Sequence, residues 1–197
     1  IKNRSQVFGY YDHNMMVMLE RTKDHDENLS KFTARQKLWY IRAKQVIIST
    51  GSIERPLVFG NNDRPGILLA SAAKEYMKVY GVLVGKKPII FTNNDTAYDL
   101  AIDFKKNGIN SLLIDIRPDS GNSIVREAKG LGIEIKFSHG IINAEGYLRV
   151  KSAKIGKLNK DKSDYENFET VSCDCICVSG NWTPTVHLSS QSGNKLK

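Results

Sequence analysis

Pro88-Ile-Ile-Phe-Thr92, then Asn93-Asn-Asp95, then Ser111-Leu-Leu-Ile-Asp115 decide the fold. The outer runs are continuous, apolar and short, as in strands buried on both faces of a parallel sheet. Between them the apolar residues recur at helical spacing up to Asn107-Gly108, a helix stop, and Asp95 stands where it can cap the helix start. Strand, helix and strand in this order predict a βαβ unit with a parallel pair and a right-handed crossover.

Working outward, Asn61-Asn-Asp-Arg-Pro-Gly66 is a turn, and Ile67 to Tyr80 carries a helical pattern that stops at Gly81. Downstream, a helix from about Asn122 to Gly130 leads to a strand at Ile133-Glu-Ile-Lys-Phe137. The pattern then changes to short strands separated by polar turns. Gly140-Ile-Ile142, Tyr147-Leu-Arg-Val150, Lys154-Ile155 and Phe168-Glu-Thr-Val-Ser172 predict an antiparallel meander, followed by the apolar run Cys173 to Ser179.

The first fifty residues hold an echo of that ending. Met15-Met-Val-Met-Leu-Glu20 and Lys37-Leu-Trp-Tyr-Ile-Arg42 are strand-like, with a polar loop between them, and Gln45-Val-Ile-Ile-Ser-Thr50 then forms a β-branched run that stops at Gly51. Meander, buried strand, Gly and a following Pro56 recur as meander, Cys173 to Ser179, Gly180 and Pro184. Two copies of one device predict tandem doubly wound, Rossmann-like α/β domains with an antiparallel meander, the first incomplete. The expected boundaries are 1–55 for the C-terminal part of a first dinucleotide-binding domain, 56–184 for an inserted second domain, and 185–197 for a segment returning to the first.

Composition is that of a water-soluble globular chain: 197 residues, 41% hydrophobic and 25% charged. Apolar runs are strand-sized, well short of the roughly 18 residues a membrane span requires, so no membrane association and a cytoplasmic location are expected. The chain starts at Ile1 without a signal peptide and ends in Ser192-Gly-Asn-Lys-Leu-Lys197 without a helix or strand stop, the expectation being an internal fragment. The net charge of +8 is spread along the chain. Its densest stretch, Lys154 to Lys162, includes Asp161 and is expected at a solvated hairpin tip, so no nucleic-acid partner is expected. All three cysteines fall in Cys173-Asp-Cys-Ile-Cys177. Strict alternation predicts that they share one face of a buried strand as small apolar residues, since neighbouring same-face positions bridge poorly and a zinc site needs ligands from further elements.

Candidate chemistry lies at strand ends. Ser49-Thr50-Gly51 closes a run of parallel-sheet type, where open α/β sheets bind ligands and where glycine lets a ligand approach the backbone. The βαβ unit has the outline of a dinucleotide site, with Asp115 near a ribose-reading position. Its turn, Thr92-Asn-Asn-Asp-Thr-Ala-Tyr98, nevertheless lacks the three glycines of G-x-G-x-x-G, and Asp95 would set negative charge where a phosphate should sit. This second unit is therefore expected to have the fold without the nucleotide. His13, His25, His139 and His187 show no metal spacing and no nucleophile constellation, so no catalytic residue is assigned.

Several blocks have a more specific character: Val7-Phe-Gly-Tyr-Tyr-Asp12, Ile41 to Gly51, Glu54-Arg-Pro-Leu-Val-Phe59, Asn61 to Gly66, Thr92 to Asp95, and Val178-Ser-Gly-Asn-Trp-Thr-Pro-Thr-Val-His187 running on to Gln191. Together they resemble the α-subunit family of the heterotetrameric sarcosine oxidases, over essentially the whole chain. The resemblance implies an oxidoreductase subunit acting on a CH–NH group within a complex that demethylates sarcosine to glycine with oxygen and tetrahydrofolate. It implies NAD in this subunit, FAD and FMN in the complex, a β subunit and smaller subunits as partners, and a substrate that reacts on a partner chain. Val7 matches a position whose backbone contacts the NAD adenine, and Thr50 and Gly51 match a strand end that approaches the cofactor, with Ser49 in place of the usual alanine. Subunits of FAD-dependent amine, opine or proline dehydrogenases, and a non-catalytic nucleotide-binding scaffold, share the same strand-end signal.

Overall fold

The computed structural model describes residues 1–192; residues 193–197, which include most of the C-terminal ending discussed above and the end of the return segment, lie outside the described residues. The chain forms two compact units, Ile1–Ile53 with Pro184 onward, and Glu54–Thr183. It passes between them twice, and the crossings β4 (Ser52–Glu54) and β13 (Trp182–Pro184) pair as a two-stranded ribbon.

The first unit is built on β1 (Ser5–Tyr11), β2 (Met15–Arg21) and β3 (Gln36–Arg42), an antiparallel sheet in that spatial order. Tyr10, Val17 and Met18 are its buried side chains, while Leu38 and Tyr40 on β3 are exposed. The return segment closes on this sheet: α4 (His187–Gln191) presents Gln191, whose Oε1 accepts a hydrogen bond from the Tyr10 amide at 2.9 Å.

The second unit is a three-layer α/β domain. Its central sheet is wholly parallel, ordered β5 (Ile67–Leu69), β12 (Cys175–Ser179), β6 (Pro88–Thr92), β7 (Leu112–Asp115), β8 (Glu134–Phe137). Helices α1 (Ala70–Tyr80), α2 (Thr96–Lys106) and α3 (Ser123–Gly130) supply Ala73, Leu100, Phe104, Val125 and Ala128, which pack with Ile90, Leu113, Cys175 and Cys177 of the sheet. The alternate strand residues Ile89, Phe91, Ile114, Ile176 and Val178 pack instead with Ile141, Ala153 and Ile155 of a second antiparallel sheet, ordered β11 (Tyr165–Ser172), β10 (Ser152–Leu158), β9 (His139–Glu145). Burial on both faces is why β6 and β12 read as unbroken apolar runs.

Each unit has a three-stranded antiparallel sheet followed by an apolar run that ends in glycine, but only in the second unit is that run a buried strand. Five local expectations require correction. Gln45–Thr50 is not a strand; no described residue pairs with it, and Ile47 is 94% exposed, because a β-branched run forms a strand only where a neighbour supplies a ladder. Ile67–Leu69 forms β5 beside β12 rather than the first turn of the helix, since its apolar residues complete the parallel sheet. Tyr147–Val150 is a turn between β9 and β10, with Gly146 at φ 142° and Lys151 N–H donating to Glu145 O at 2.8 Å. Asp95 does not cap α2 with its side chain; Asn94 Oδ1 accepts from the Thr96 amide at 3.0 Å instead. The cysteines do not share a face, because Cys173 precedes β12 and packs on the meander side while Cys175 and Cys177 face the helices.

The Lys-rich stretch lies on β10 and the exposed turn to β11, a hairpin tip as expected. No helix among the described residues is long and apolar enough to cross a membrane.

Candidate functional site

In a doubly wound sheet, ligands bind beyond the carboxyl ends of the strands where the connections diverge. In the second unit that point lies between β6, which continues through α2 to β7, and β12 on its other side. The residues at the two strand ends bond to each other. Asn94 Nδ2 donates to the Ser179 carbonyl at 3.2 Å and to its Oγ at 3.0 Å, and the Asn93 amide donates to the Ser179 carbonyl at 3.3 Å. The Thr92 hydroxyl donates to Asn94 O at 2.9 Å, Thr96 Oγ donates to Asn94 Oδ1 at 2.6 Å, and Trp182 Nε1 donates to Thr96 Oγ at 3.0 Å. Gly180 closes the rim: its amide donates to Arg55 O at 2.6 Å, and a Cβ there would meet Pro56 O at 2.7 Å.

The charges of the site are also taken up internally. Asp115, 1% exposed, accepts from Tyr98 Oη at 2.8 Å and from Arg117 Nη2 at 2.8 Å, and its other oxygen accepts the Arg117 amide at 2.9 Å. Arg117 Nη2 also donates to Asp95 at 2.7 Å, and Asn122 Nδ2 donates to the second Asp95 oxygen at 2.8 Å. Burial and the bond to Asp115 push the Tyr98 phenol far above its ordinary value, and the bonds to Asp115 hold Arg117 charged. Glu54, buried at the start of α1, accepts the Ser71 amide at 2.8 Å, supplying there the negative charge that a phosphate would bring. It lines a cleft of about 300 Å³ with Lys74, Thr96, Asp99 and Trp182. A carboxylate that reads a ribose must have a free oxygen, and both oxygens of Asp115 are occupied.

The first unit presents the opposite arrangement. Gly51 has φ 66°, and nothing lies within 4 Å of a Cβ built on it. Ser49, Thr50 and Gly51 are exposed; the Thr50 hydroxyl donates to Thr185 O at 2.6 Å, and the Thr185 amide donates to Gly51 O at 2.9 Å, which fixes the segment without covering it. Val7 is half-buried on β1, the edge strand of its sheet, paired with Met18 beside a bulge at Phe8. The structure thus keeps Ser49, Thr50 and Gly51 as one short segment and places Val7 on a separate element. The backbone at Gly51 is open, and Val7 lies on a strand edge. Among the described residues of this unit the one α-helix, α4, is five residues long, so no helix start suited to a pyrophosphate is present.

Sequence reasoning did not single out Asn94, Ser179, Trp182, Glu54 or Arg117. Asn94 and Trp182 lie within blocks noted above for their specificity, and an Arg two residues beyond a strand-end Asp was the available sign of the ion pair. The Asn61–Gly66 block serves the fold, since Asn61, at φ 57°, donates to Asn143 Oδ1 at 2.8 Å and Arg64 holds the Gly146 carbonyl. No group of His, Cys, Asp or Glu among the described residues could hold a metal ion.

No family model matches the chain. It is 35% identical over 98% of its length to sarcosine oxidase subunit alpha of Corynebacterium sp. (strain P-1), and 32% identical over 98% to that of Rhizobium meliloti (strain 1021). The chain is a relative of the sarcosine oxidase α subunits. It spans about a fifth of their length, 20% and 18% respectively. Among solved structures it resembles T. acidophilum thioredoxin reductase, with TM-score 0.63 and 20% identity over 82% of this chain and 53% of that one. It also resembles L-proline dehydrogenase from P. horikoshii, with TM-score 0.57 and 20% identity over 97% of this chain and 30% of that one. These likenesses carry the fold alone, the Rossmann-like α/β class expected from the sequence.

Proposed function

We propose that this chain forms the NAD-binding and scaffolding part of a sarcosine-oxidase-like α subunit. The observation that carries the reading is the contrast between two apolar runs that end in glycine, in a relative of that family: Gly51 is open, and Gly180 is filled by the chain itself. In this reading 1–55 is the C-terminal part of a NAD-binding domain, 56–184 is an inserted domain that binds no nucleotide, and 185–197 returns to the first. Val7 offers backbone groups to the adenine, and Ser49, Thr50 and Gly51 hold the backbone close to the cofactor. The pyrophosphate requires a helix start from outside the described residues.

The reaction assigned to the whole complex is oxidative demethylation of sarcosine to glycine, with oxygen and tetrahydrofolate as co-reactants. FAD and FMN of the complex supply the redox chemistry. The substrate reacts on the β subunit, and this chain contributes binding and assembly in the cytoplasm. The test is to purify the full-length subunit with its neighbours, release the bound ligands and identify them by mass. NAD together with flavins is the expected result. FAD without NAD would replace this reading with an FAD-dependent amine, opine or proline dehydrogenase subunit.

A further inference from the structure

The cleft of about 300 Å³ between the starts of α1 and α2 holds one buried charge that escapes the internal pairing of the second unit. Glu54 is 5% exposed, and its Oε2 accepts the Ser71 amide at 2.8 Å. Its other oxygen, Oε1, takes no bond from any described residue and is not sealed from solvent, so it is reached through the cleft that Glu54 lines. Lys74, the one basic residue of the lining, is committed elsewhere: its Nζ donates to Asp99 Oδ2 at 3.1 Å and stands 4.0 Å from Asp103 Oδ2, which also takes Lys78 Nζ at 2.8 Å. Two lysines of α1 thus meet two aspartates of α2, and the Glu54 carboxylate is left over. Buried carboxylates are as a rule paired, so a half-satisfied one at the wall of a cleft points to a partner from outside the chain.

The other groups of the cleft with capacity to spare are acceptors as well. Thr96 Oγ donates to Asn94 Oδ1 at 2.6 Å and receives Trp182 Nε1 at 3.0 Å, which leaves it a lone pair and no proton. The Ser71 hydroxyl can serve in either sense. Acceptors of net negative charge beside an indole select a ligand that is positively charged, donates hydrogen bonds and carries hydrocarbon, because an aromatic ring attracts a cation and its apolar surface alike. We infer that this cleft binds a small alkylammonium ion, an N–H group donating to Glu54 Oε1 and the hydrocarbon part lying against Trp182. The site rests on the second unit alone and is independent of NAD binding in the first.

The test is a titration of propylammonium chloride into the isotopically labelled full chain, followed through the indole N–H signals of Trp39 and Trp182, the second being the one lost in Trp182→Phe. Sodium chloride at equal ionic strength, sodium propionate and tetramethylammonium chloride are the comparisons. A saturable shift of the Trp182 signal is expected, with Trp39 unmoved. Glu54→Gln, which keeps an oxygen for the Ser71 amide and removes the charge, should weaken binding at least roughly fivefold. Lys74→Met, which releases Asp99 from its ion pair, should tighten it about threefold, and this opposite sign keeps the test decisive if Glu54→Gln does not fold. Shifts that do not saturate, that sodium chloride reproduces, or whose midpoint is unchanged in the folded variants would overturn the site. Propionate binding more tightly than propylammonium would overturn the sign of its ligand, and equal binding of tetramethylammonium, which has no N–H, would overturn the bond to Glu54.

Discussion

Gly51 and Gly180 end two copies of one device, an apolar run leaving a three-stranded antiparallel sheet, yet their surroundings are opposite. Around Gly180 the chain supplies its own ligands: Arg55 and Pro56 carbonyls against the backbone, Asn94 on Ser179, and Trp182 on Thr96. Around Gly51 the Thr185 contacts are present, and no other described residue lies within 4 Å of a Cβ built there. The lesson is that a glycine ending an apolar run serves two different needs. One is close packing of chain on chain; the other is access.

The contrast can be broken most forcefully at Asp115. Asp115→Ala removes the buried acceptor of Tyr98 and Arg117, and after discounting for the one-third exposure of Arg117 it should cost about 3 kcal/mol in urea unfolding. A loss below about 1 kcal/mol would mean that the network does not hold the second unit together. Next comes the pair of glycines. Gly180→Ala forces a Cβ against two carbonyl oxygens and should cost about 2 kcal/mol, whereas Gly51→Ala meets only the strain of its positive φ and should cost about 1. Equal losses would erase the distinction between a packed and an open glycine.

The same two positions sharpen the functional side. In the full-length subunit, Gly51→Val should weaken NAD binding about tenfold, a loss of about 1.4 kcal/mol, and Gly180→Ala should leave it unchanged; equilibrium titration with NAD measures both. The smallest effect near neutrality concerns pH. Burial pushes the Cys173 thiol up to about 12 and the Tyr98 phenol higher than its ordinary value, so the folded state holds protons that the unfolded chain releases. Their contribution is complete below pH 9, the ordinary thiol value, and is lost as pH rises beyond it. Thermal midpoints should therefore be insensitive to these groups up to about pH 9 and fall above it, and Cys173→Ala should make the fall shallower without moving its onset, because the Cys177 thiol, raised by its bond to Cys175 and by burial, carries the rest. A midpoint that declines equally in the variant would remove Cys173 from the account.

Much of the second unit was legible because its signals are local. Pro88–Thr92 and Ser111–Asp115 are apolar on both faces, and Gly81 and Gly108 mark helix ends with positive φ, as their positions in the sequence suggest. The absence of glycine between Thr92 and Tyr98 likewise foretold a turn filled with side chains. What was not legible depended on partners. Asp95 and Asn94 are chemically similar caps, and Asp95 is drawn away by Arg117 and Asn122, which come from beyond β7. Ile67–Leu69 fits a helix by spacing and a strand by composition, and its neighbour β12, more than a hundred residues away in sequence, decides between them.

The sequence by itself determined the α/β class, the parallel core and the repetition of an apolar run ending in glycine, because hydrophobic period and turn chemistry act over a few residues. Only the tertiary structure decided which copy of the device is open. Whether a glycine faces solvent or a carbonyl depends on what distant segments bring to it, and those contacts leave no periodic trace in the chain.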